Sequence, residues 1–182
     1  MTTTAVRRPY GELDSAEVAA AVRRLAARVG VPRVTMRELA AELGAAVPSV
    51  YYHVPGKQAA LDLLAESVLA EIPVPDEGPW QARLIDLYCS AREVILGVPG
   101  VAGVLQTGSA GDRARWLDRL SRSLLMEAGL TKSVAAAAHS VLYTYLLGSV
   151  SLEESRGGRQ AATRFRAGLD VILAGINASV EG

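Results

Sequence analysis

Residues 35–57, TMRELAAELGAAVPSVYYHVPGK, form the stretch around which the rest of the chain is organised. Thr35 precedes Glu38 by three residues, which is the spacing of a capping box at a helix N-terminus. Gly44 can end that helix at little conformational cost, because glycine readily adopts a left-handed conformation. Pro48 then suits the first turn of a second helix, where its missing N–H is no loss. The stretch therefore predicts two short helices joined by a tight turn.

The second of these helices is too short to bury much surface, and its outer face carries hydroxyl, phenol and imidazole groups. This mixture suits a recognition helix in the major groove of DNA, although a helical hairpin inside a larger bundle explains the composition equally well. Arg37 can read a guanine edge, and helix N-termini at Thr35 and Lys57 suit phosphates. The predicted DNA contacts are Thr35, Arg37, Val47, Pro48, Ser49, Tyr51, Tyr52, His53 and Lys57.

TMRELAAELG followed by PSVYYHVPGK closely resembles the helix-turn-helix of TetR-family transcriptional repressors, and the match is essentially unbroken over 35–64. The resemblance implies a helix-turn-helix at 35–54, nine helices, and a repressor that binds operator DNA. Pro79-Trp80-Gln81 is similar to the start of the body in the tetracycline-repressor branch, whose members coordinate a magnesium–drug complex partly through histidines. Segment 95–103 contains no histidine here, so neither magnesium nor tetracycline is expected.

The periodicity of apolar residues predicts helices along the whole chain, and an all-α fold follows from it. The predicted helices after the helix-turn-helix span 57–72, 79–96, 110–128, 131–154 and 159–179, with a short distorted helix and turns near 97–103. Prolines and glycine at 73–79 interrupt the pattern. We therefore predict a DNA-binding head at 1–72 and a ligand-binding and dimerisation body at 79–182.

Charge is balanced overall but divided unevenly along the chain of 182 residues. Residues 1–57 carry a net charge of +3 and residues 58–182 a net charge of −3, which fits a DNA-reading head on a body that does not bind DNA. Arg7 and Arg8 lie on a predicted flexible arm that can reach the DNA backbone. The single cysteine and the absence of a signal peptide indicate the cytoplasm.

Residues 133–152 contain no charged side chain and are long enough to span a membrane. Alanine, serine and tyrosine are frequent in this segment, so a buried helix is the preferred interpretation. No metal-ligand spacing and no nucleophile–base cluster is present, and we expect no enzyme activity, no cofactor and no metal. Cys89 is interpreted as a small core residue rather than a nucleophile paired with His139.

The body is predicted to hold a cavity for a small, neutral or weakly polar effector, because its apolar residues alternate with a few hydrogen-bonding tips. The predicted lining residues are Tyr88, Val98, Val101, Leu105, Trp116, Leu120, His139 and Tyr143. Each of them has core packing as its alternative role. A helical carrier or interaction protein that keeps a helix-turn-helix head is the alternative function.

The last two predicted helices carry apolar stripes and glycines that predict a homodimer. Gly168 and Gly175 lie seven residues apart, and glycine at heptad spacing indicates close helix approach, either between chains or within one chain. A symmetric dimer would place two recognition helices on a palindromic operator. The predicted interface residues are Val141, Tyr145, Gly148, Gly168, Ile172 and Gly175.

Overall fold

The computed structural model describes residues 14–108, 110–158 and 160–181, and of 179–181 only the backbone. Within these ranges there are nine α-helices, one 3₁₀ turn and no strand, which confirms the all-α prediction. Arg7 and Arg8 lie outside the described residues. The helices are α1 (Ser15–Val29), α2 (Met36–Glu42), α3 (Val47–His53), α4 (Lys57–Ala70), α5 (Trp80–Leu96), α6 (Val101–Thr107), α7 (Asp112–Glu127), α8 (Lys132–Arg156) and α9 (Ala161–Glu181).

The first helix packs along α4 and gives the head its core. Its N-terminus is capped by Asp14, whose carboxylate accepts the backbone N–H of Glu17 at 2.7 Å. Val18, Val22 and Leu25 are completely buried along one stripe of α1. Because these residues recur at four- and three-residue steps, they lie on one face of the helix, and that face meets α4.

Two arginines on α1 hold α2 in place. Arg24 and Arg28 both donate to the carboxylate of Glu42, at 2.9 and 2.8 Å. The hydrogen bond from Arg24 is the main reason why the pKa of Glu42 is lowered, with Arg28 adding to it. These contacts join α1 to the C-terminal end of α2 at the surface of the head.

The capping box predicted at the start of α2 forms in a modified way. The N–H of Glu38 donates to the Thr35 hydroxyl at 3.2 Å, as expected for an N-cap. The Thr35 hydroxyl in turn donates to the Glu38 carboxylate at 2.9 Å, so this carboxylate bonds the cap side chain. The helix nevertheless begins at Met36, directly after the predicted cap.

Four of the five body helices lie within two residues of their predicted bounds, whereas the short helix predicted near 97–103 begins four residues later, as α6, because residues 97–100 form the turn before it. The fifth helix begins at Trp80 and not at Pro79, because Pro79 has an extended backbone (φ −65°, ψ 151°) and serves as the N-cap. Before α6, Gly100 adopts a left-handed conformation (φ 89°), which reverses the chain between α5 and α6. The division between head and body at 73–79 remains a prediction, since buried residues of both belong to one continuous core.

One described helix, α8, is long and apolar enough to cross a membrane, and a second span passes the same test if the sharply bent pair α5–α6 is counted as one. Length and composition alone are weak evidence, because core helices of soluble proteins pass this test too. The prediction that α8 is a buried helix is only partly right. Leu142, Leu146 and Val150 are buried, whereas Val134, Val141 and Leu152 on the same helix are exposed.

Candidate DNA interface and ligand cavity

Two tyrosines dominate the outer face of α3. Tyr52 is 73% exposed and Tyr51 is 48% exposed, while Val50 between α3 and the core is completely buried. The Tyr52 ring meets the ring of His53 edge to face, with centroids 5.2 Å apart. Pro48 is also exposed, whereas Val47 packs partly against the core. The exposed face of α3 therefore presents phenol groups and a small apolar surface.

Ser49 does not belong to this face, contrary to the sequence-based prediction. It is 8% exposed and lies next to Val50 on the inward side of α3. The reason is helical geometry, because positions 49, 50 and 53 fall on one stripe and positions 48, 51 and 52 on the opposite one. His53 is consequently half-buried, and its Nε2 atom has no hydrogen-bond partner among the described residues.

The basic residues predicted to contact DNA differ in their surroundings. Arg37 is exposed in the first turn of α2, close in sequence to the exposed Thr35. Lys57 begins α4, and its ammonium group donates to the backbone carbonyl of Pro32 at 2.9 Å. The Lys57 charge is therefore held beside the 3₁₀ turn Val31–Arg33, at the entrance to the helix-turn-helix.

A cavity of about 430 Å³ lies between α4, α5, α7 and α8. Four predicted lining residues are among its walls: Tyr88, Leu105, His139 and Tyr143. The other apolar walls come mainly from Leu69, Ile72, Leu87, Ala91, Ile95, Ala114, Leu117 and Leu146. The cavity thus joins the C-terminal end of α4 to the centre of the body.

Four predicted lining residues do not contribute to this cavity. Val98 and Val101 are buried in the core around the α5–α6 turn, because that reversal directs them towards the packed interior. Leu120 packs against the core from α7. Trp116 is 37% exposed on α7, and the Arg113 guanidinium lies over its ring at 4.5 Å. Periodicity identified these residues as apolar, but it could not tell a core position from a cavity wall.

The sequence-based prediction of a cavity without charged groups is wrong. Arg115, Asp118 and Arg122 on α7 line it, together with the hydroxyl of Ser121. Positions 118, 121 and 122 form an i, i+3, i+4 stripe on α7, which was the signal available in the sequence.

These side chains form a hydrogen-bonded network around His139. Its Nε2 atom is 2.8 Å from Asp118 Oδ1, and its Nδ1 atom is 3.2 Å from the Tyr88 hydroxyl. Tyr88 also contacts Ser121 at 3.1 Å, and Arg122 donates to Asp118 at 2.8 Å. His139 therefore bonds two side chains across the cavity wall.

Burial sets the protonation of this network. It lowers the pKa of His139 despite the opposing attraction of Asp118, and Arg122 lowers it further. Neutral His139 donates its Nε2–H to Asp118, so Nδ1 accepts the proton of Tyr88, whose pKa is raised by burial. Tyr143 stacks on His139 with ring centroids 6.0 Å apart and donates to the Leu105 carbonyl at 3.0 Å. The polar wall is thus internally paired and fixed in direction.

Across the part of the chain that the structure describes, no group of three or more His, Cys, Asp or Glu side chains is arranged to hold a metal ion. Cys89 is half-buried, and burial raises the pKa of its thiol. A protonated thiol is a poor nucleophile.

Exposed apolar residues of α8 lie on the same helix as Gly148, which has open space beside it, as Gly175 on α9 also has. Val141 is 54% exposed, and a Cβ atom added at Gly148 or Gly175 would meet nothing within 4 Å. Ile172 is half-buried and packs against the core. This face of α8 therefore carries exposed apolar and small residues.

Gly168 has a different role from the one predicted for an interface glycine. A Cβ atom there would collide with the hydroxyl of Tyr145 in the same chain. Tyr145 donates to the Phe165 carbonyl at 3.1 Å, and its ring stacks on Phe165 at 5.1 Å. The close approach at Gly168 is therefore internal, between α8 and α9.

A head that exposes the second helix of a helix-turn-helix, followed by a helical body with a cavity, defines a DNA-binding regulator of the helix-turn-helix class. Residues 8–64 match the family model for bacterial regulatory proteins of the tetR family. Residues 72–164 match the tetracyclin repressor-like C-terminal domain. The chain belongs to the TetR family, and it is a transcriptional regulator with a DNA-binding head.

Relatives and solved structures agree with this assignment. An HTH-type transcriptional regulator from Saccharopolyspora erythraea is 33% identical over 84% of this chain, which spans only 66% of that relative. A TetR variant from Acinetobacter baumannii AYE in complex with minocycline is 27% identical, with a TM-score of 0.85 over 93% of this chain and 99% of the other. BioQ with its double-stranded DNA operator is 25% identical, with a TM-score of 0.82 over 92% and 99%.

Proposed function

We propose that this regulator is a cytoplasmic repressor that leaves a palindromic operator when a small molecule enters the cavity of the body. The observation that carries the proposal is the combination of an exposed α3 with a cavity that reaches the end of α4. A single helix, α4, runs from Lys57 in the head to the cavity wall at Leu69. Displacement of that wall therefore has a direct route to the DNA-binding surface.

In the proposed complex, α3 lies in the major groove with Tyr51 and Tyr52 towards bases or phosphates. Arg37 reads a guanine edge, since its guanidinium can donate two parallel hydrogen bonds. Lys57 exchanges the Pro32 carbonyl for a phosphate. BioQ, a relative of the same fold, was solved with its operator DNA, which supports the same use of the head here.

The proposed effector has a mostly apolar body and one polar edge. The apolar walls from α4, α5 and α8 favour the first part, and the wall of Arg115, Asp118 and Arg122 favours the second. Because Asp118 is already paired with Arg122 and His139, a neutral group on the effector can bond this wall without leaving a buried charge unpaired.

The proposed functional unit is a homodimer formed through α8 and α9. Exposed Val134, Val141 and Leu152 are spaced seven and then eleven residues apart along α8, close to two and three whole helical turns, so they form one apolar seam. Covering such a seam with a second copy removes apolar surface from water. It also explains why an apolar helix of 25 residues is left largely uncovered without a membrane.

Selection of bound sequences from random double-stranded DNA tests this proposal most directly. We expect a palindrome whose half-sites are about 34–36 Å apart, bound with an affinity that falls steeply with salt. A compound library is then screened for release of that operator. Failure to enrich any sequence would contradict the DNA-binding proposal and favour a helical carrier or interaction protein, whereas enrichment without any releasing compound would contradict only the effector part.

A further inference from the structure

The C-terminal part of α4 contacts the N-terminal end of α7. Side chains from each helix bond backbone groups of the other. Glu66 on α4 accepts the backbone N–H of Arg113 at 2.8 Å and that of Ala114 at 3.3 Å. These N–H groups belong to the first turn of α7 and have no partner within their own helix. The Glu66 carboxylate also lies at the positive end of the α7 dipole, which stabilises its charge.

Arg113 of α7 in turn donates hydrogen bonds to the C-terminal end of α4. Its Nε and Nη2 atoms donate to the carbonyls of Leu69 and Ile72, both at 3.2 Å, at the C-terminal end of α4. Carbonyls at a helix C-terminus carry partial negative charge, so a guanidinium is favourable there. The same guanidinium lies over the Trp116 ring. Each helix thus supplies the charged cap for an end of the other.

A glycine makes this arrangement possible. A Cβ atom at Gly111 would collide with the carboxyl group of Glu66. The backbone of Gly111 (φ −78°, ψ −171°) is one that any residue adopts, so conformational freedom does not explain the glycine. Close approach of Glu66 to the N-terminus of α7 does explain it.

The reciprocal caps lie directly behind the cavity. Leu69 and Ile72 line the cavity from α4, and Ala110 and Ala114 line it from the α7 side. A side cavity of about 60 Å³ is lined by Glu66 itself and shares Leu69, Leu105, Ala110, Ala114 and Tyr143 with the main one. A molecule in the main cavity therefore touches residues that adjoin the junction on both α4 and α7.

We propose that Glu66, Gly111 and Arg113 form a junction that fixes α4 against α7 and through which cavity occupancy sets operator affinity. This inference rests on the proposed function. A molecule that separates Leu69 from Ala114 breaks the caps and releases α4, which begins at Lys57 beside the recognition helix. Loss of the Glu66 carboxylate has the same effect as occupancy, because the α7 N–H groups lose their acceptor.

The first test compares Glu66→Ala with Glu71→Ala in the full chain, using the selected operator and no added compound. Glu71, the residue after α4, pairs with Arg23 on α1, so its removal breaks an ion pair at the end of α4 that does not involve the body. We expect Glu66→Ala to weaken operator binding about 2- to 30-fold and Glu71→Ala to change it less than about 2-fold. Glu66→Gln keeps an oxygen acceptor and restores part of the affinity.

Amide hydrogen exchange tests the junction in the absence of DNA. Glu66→Ala should accelerate exchange at the amides of Arg113 and Ala114, while amides of the α1 core keep their protection and show that the protein remains folded. Unchanged exchange at these two amides would overturn the junction even if the wild-type protein bound no DNA. Normal wild-type DNA binding that Glu66→Ala leaves unaltered would overturn the junction and leave the proposed function standing.

A double-mutant cycle with Gly111→Ala separates the junction from general destabilisation. The added methyl group acts by displacing Glu66, so it should weaken operator binding in the wild-type background and have no further effect in Glu66→Ala. Additive losses from the two substitutions would show that Gly111 and Glu66 act independently, and would overturn the proposed role of the glycine.

Discussion

The recognition surface and the cavity use similar chemical groups in opposite settings. On α3, tyrosine hydroxyls and a histidine lie on a helix of seven residues, and the two tyrosines are exposed to solvent. In the cavity, Tyr88 is 4% exposed, and it and His139 bond to each other and to α7. The first surface is exposed to solvent, whereas the side chains of the second are paired with one another inside the body.

This difference shows why the two regions depend differently on their surroundings. The outer face of α3 depends on a short inward side, on which Ser49 and Val50 are buried, and on a cap at the preceding helix. The cavity wall depends on side chains from three helices. Tyr88 of α5 and Asp118 of α7 both lie within about 3 Å of the ring nitrogens of His139 on α8. Substitutions on the recognition surface are therefore expected to alter binding with little loss of stability, and substitutions in the network to alter both.

Disruption of the proposed homodimer is expected to have the largest effect on operator affinity, because it separates the two recognition helices. Val141→Asp places a charge in the proposed α8 seam, where burying it unpaired in a dimer is unfavourable. Without a dimer each half-site is bound alone, and operator affinity should fall roughly 100- to 10,000-fold. Sedimentation and operator titration measure the two effects together.

Val74→Asp is the matched control, because Val74 is an exposed valine in the segment between α4 and α5. It should leave both association and operator affinity unchanged. A Val141→Asp protein that still sediments as a dimer and binds the palindrome normally would contradict the proposed interface.

The recognition surface itself is tested by Arg37→Ala. Loss of two hydrogen bonds to a guanine should reduce operator binding by roughly 1–3 kcal/mol and relax base preference at one position of each half-site. Arg119→Ala removes an exposed arginine from α7 in the body and should change neither. Equal losses on matched and mismatched operators would show that Arg37 contacts only the backbone.

A smaller effect is expected for Lys57→Ala, which removes a phosphate contact and no base contact. Affinity should fall alike for all sequences, and the slope of log affinity against log salt should flatten by about 0.9 for each copy of the lysine on the DNA. Lys132→Ala removes the other lysine of the chain, at the start of α8, and should leave the slope unchanged. An unaltered slope in Lys57→Ala would place this lysine away from the phosphates.

The smallest effect concerns the cavity wall and is a dependence of stability on pH. Burial lowers the pKa of His139 in the folded protein, so the unfolded chain binds more protons between that lowered value and about 6.5. His139 therefore makes the protein less stable as pH falls below about 6.5. Urea unfolding at pH 7.5 and 5.5 measures how much the free energy of unfolding falls on acidification. That fall should be smaller for His139→Gln than for the wild type.

If the free energy of unfolding falls equally in both proteins, the titration of carboxylates alone causes the acid sensitivity. A larger loss in His139→Gln would indicate that Asp118 protects the folded state by holding a charged His139 in place. Either outcome would change the description of the network as neutral at its centre.

Local sequence determined the head almost completely. The Thr35 cap, the turn at Gly44 and the proline at Pro48 act over a few residues, so the helices of the helix-turn-helix follow from them without knowledge of the rest. Ser49 was misplaced because a seven-residue helix has few apolar positions, and the direction of its inward stripe depends on packing against α2.

Only the tertiary structure decided which side chains of the body meet. Periodicity placed Val98, Val101 and Leu120 on apolar faces, but whether an apolar face meets a core or a cavity depends on how several helices cross. The charged stripe of α7, the internal contact of Gly168 with Tyr145 and the caps exchanged by Glu66 and Arg113 all join residues far apart in sequence. Such contacts arise from helix packing, because each helix alone would expose these side chains to water.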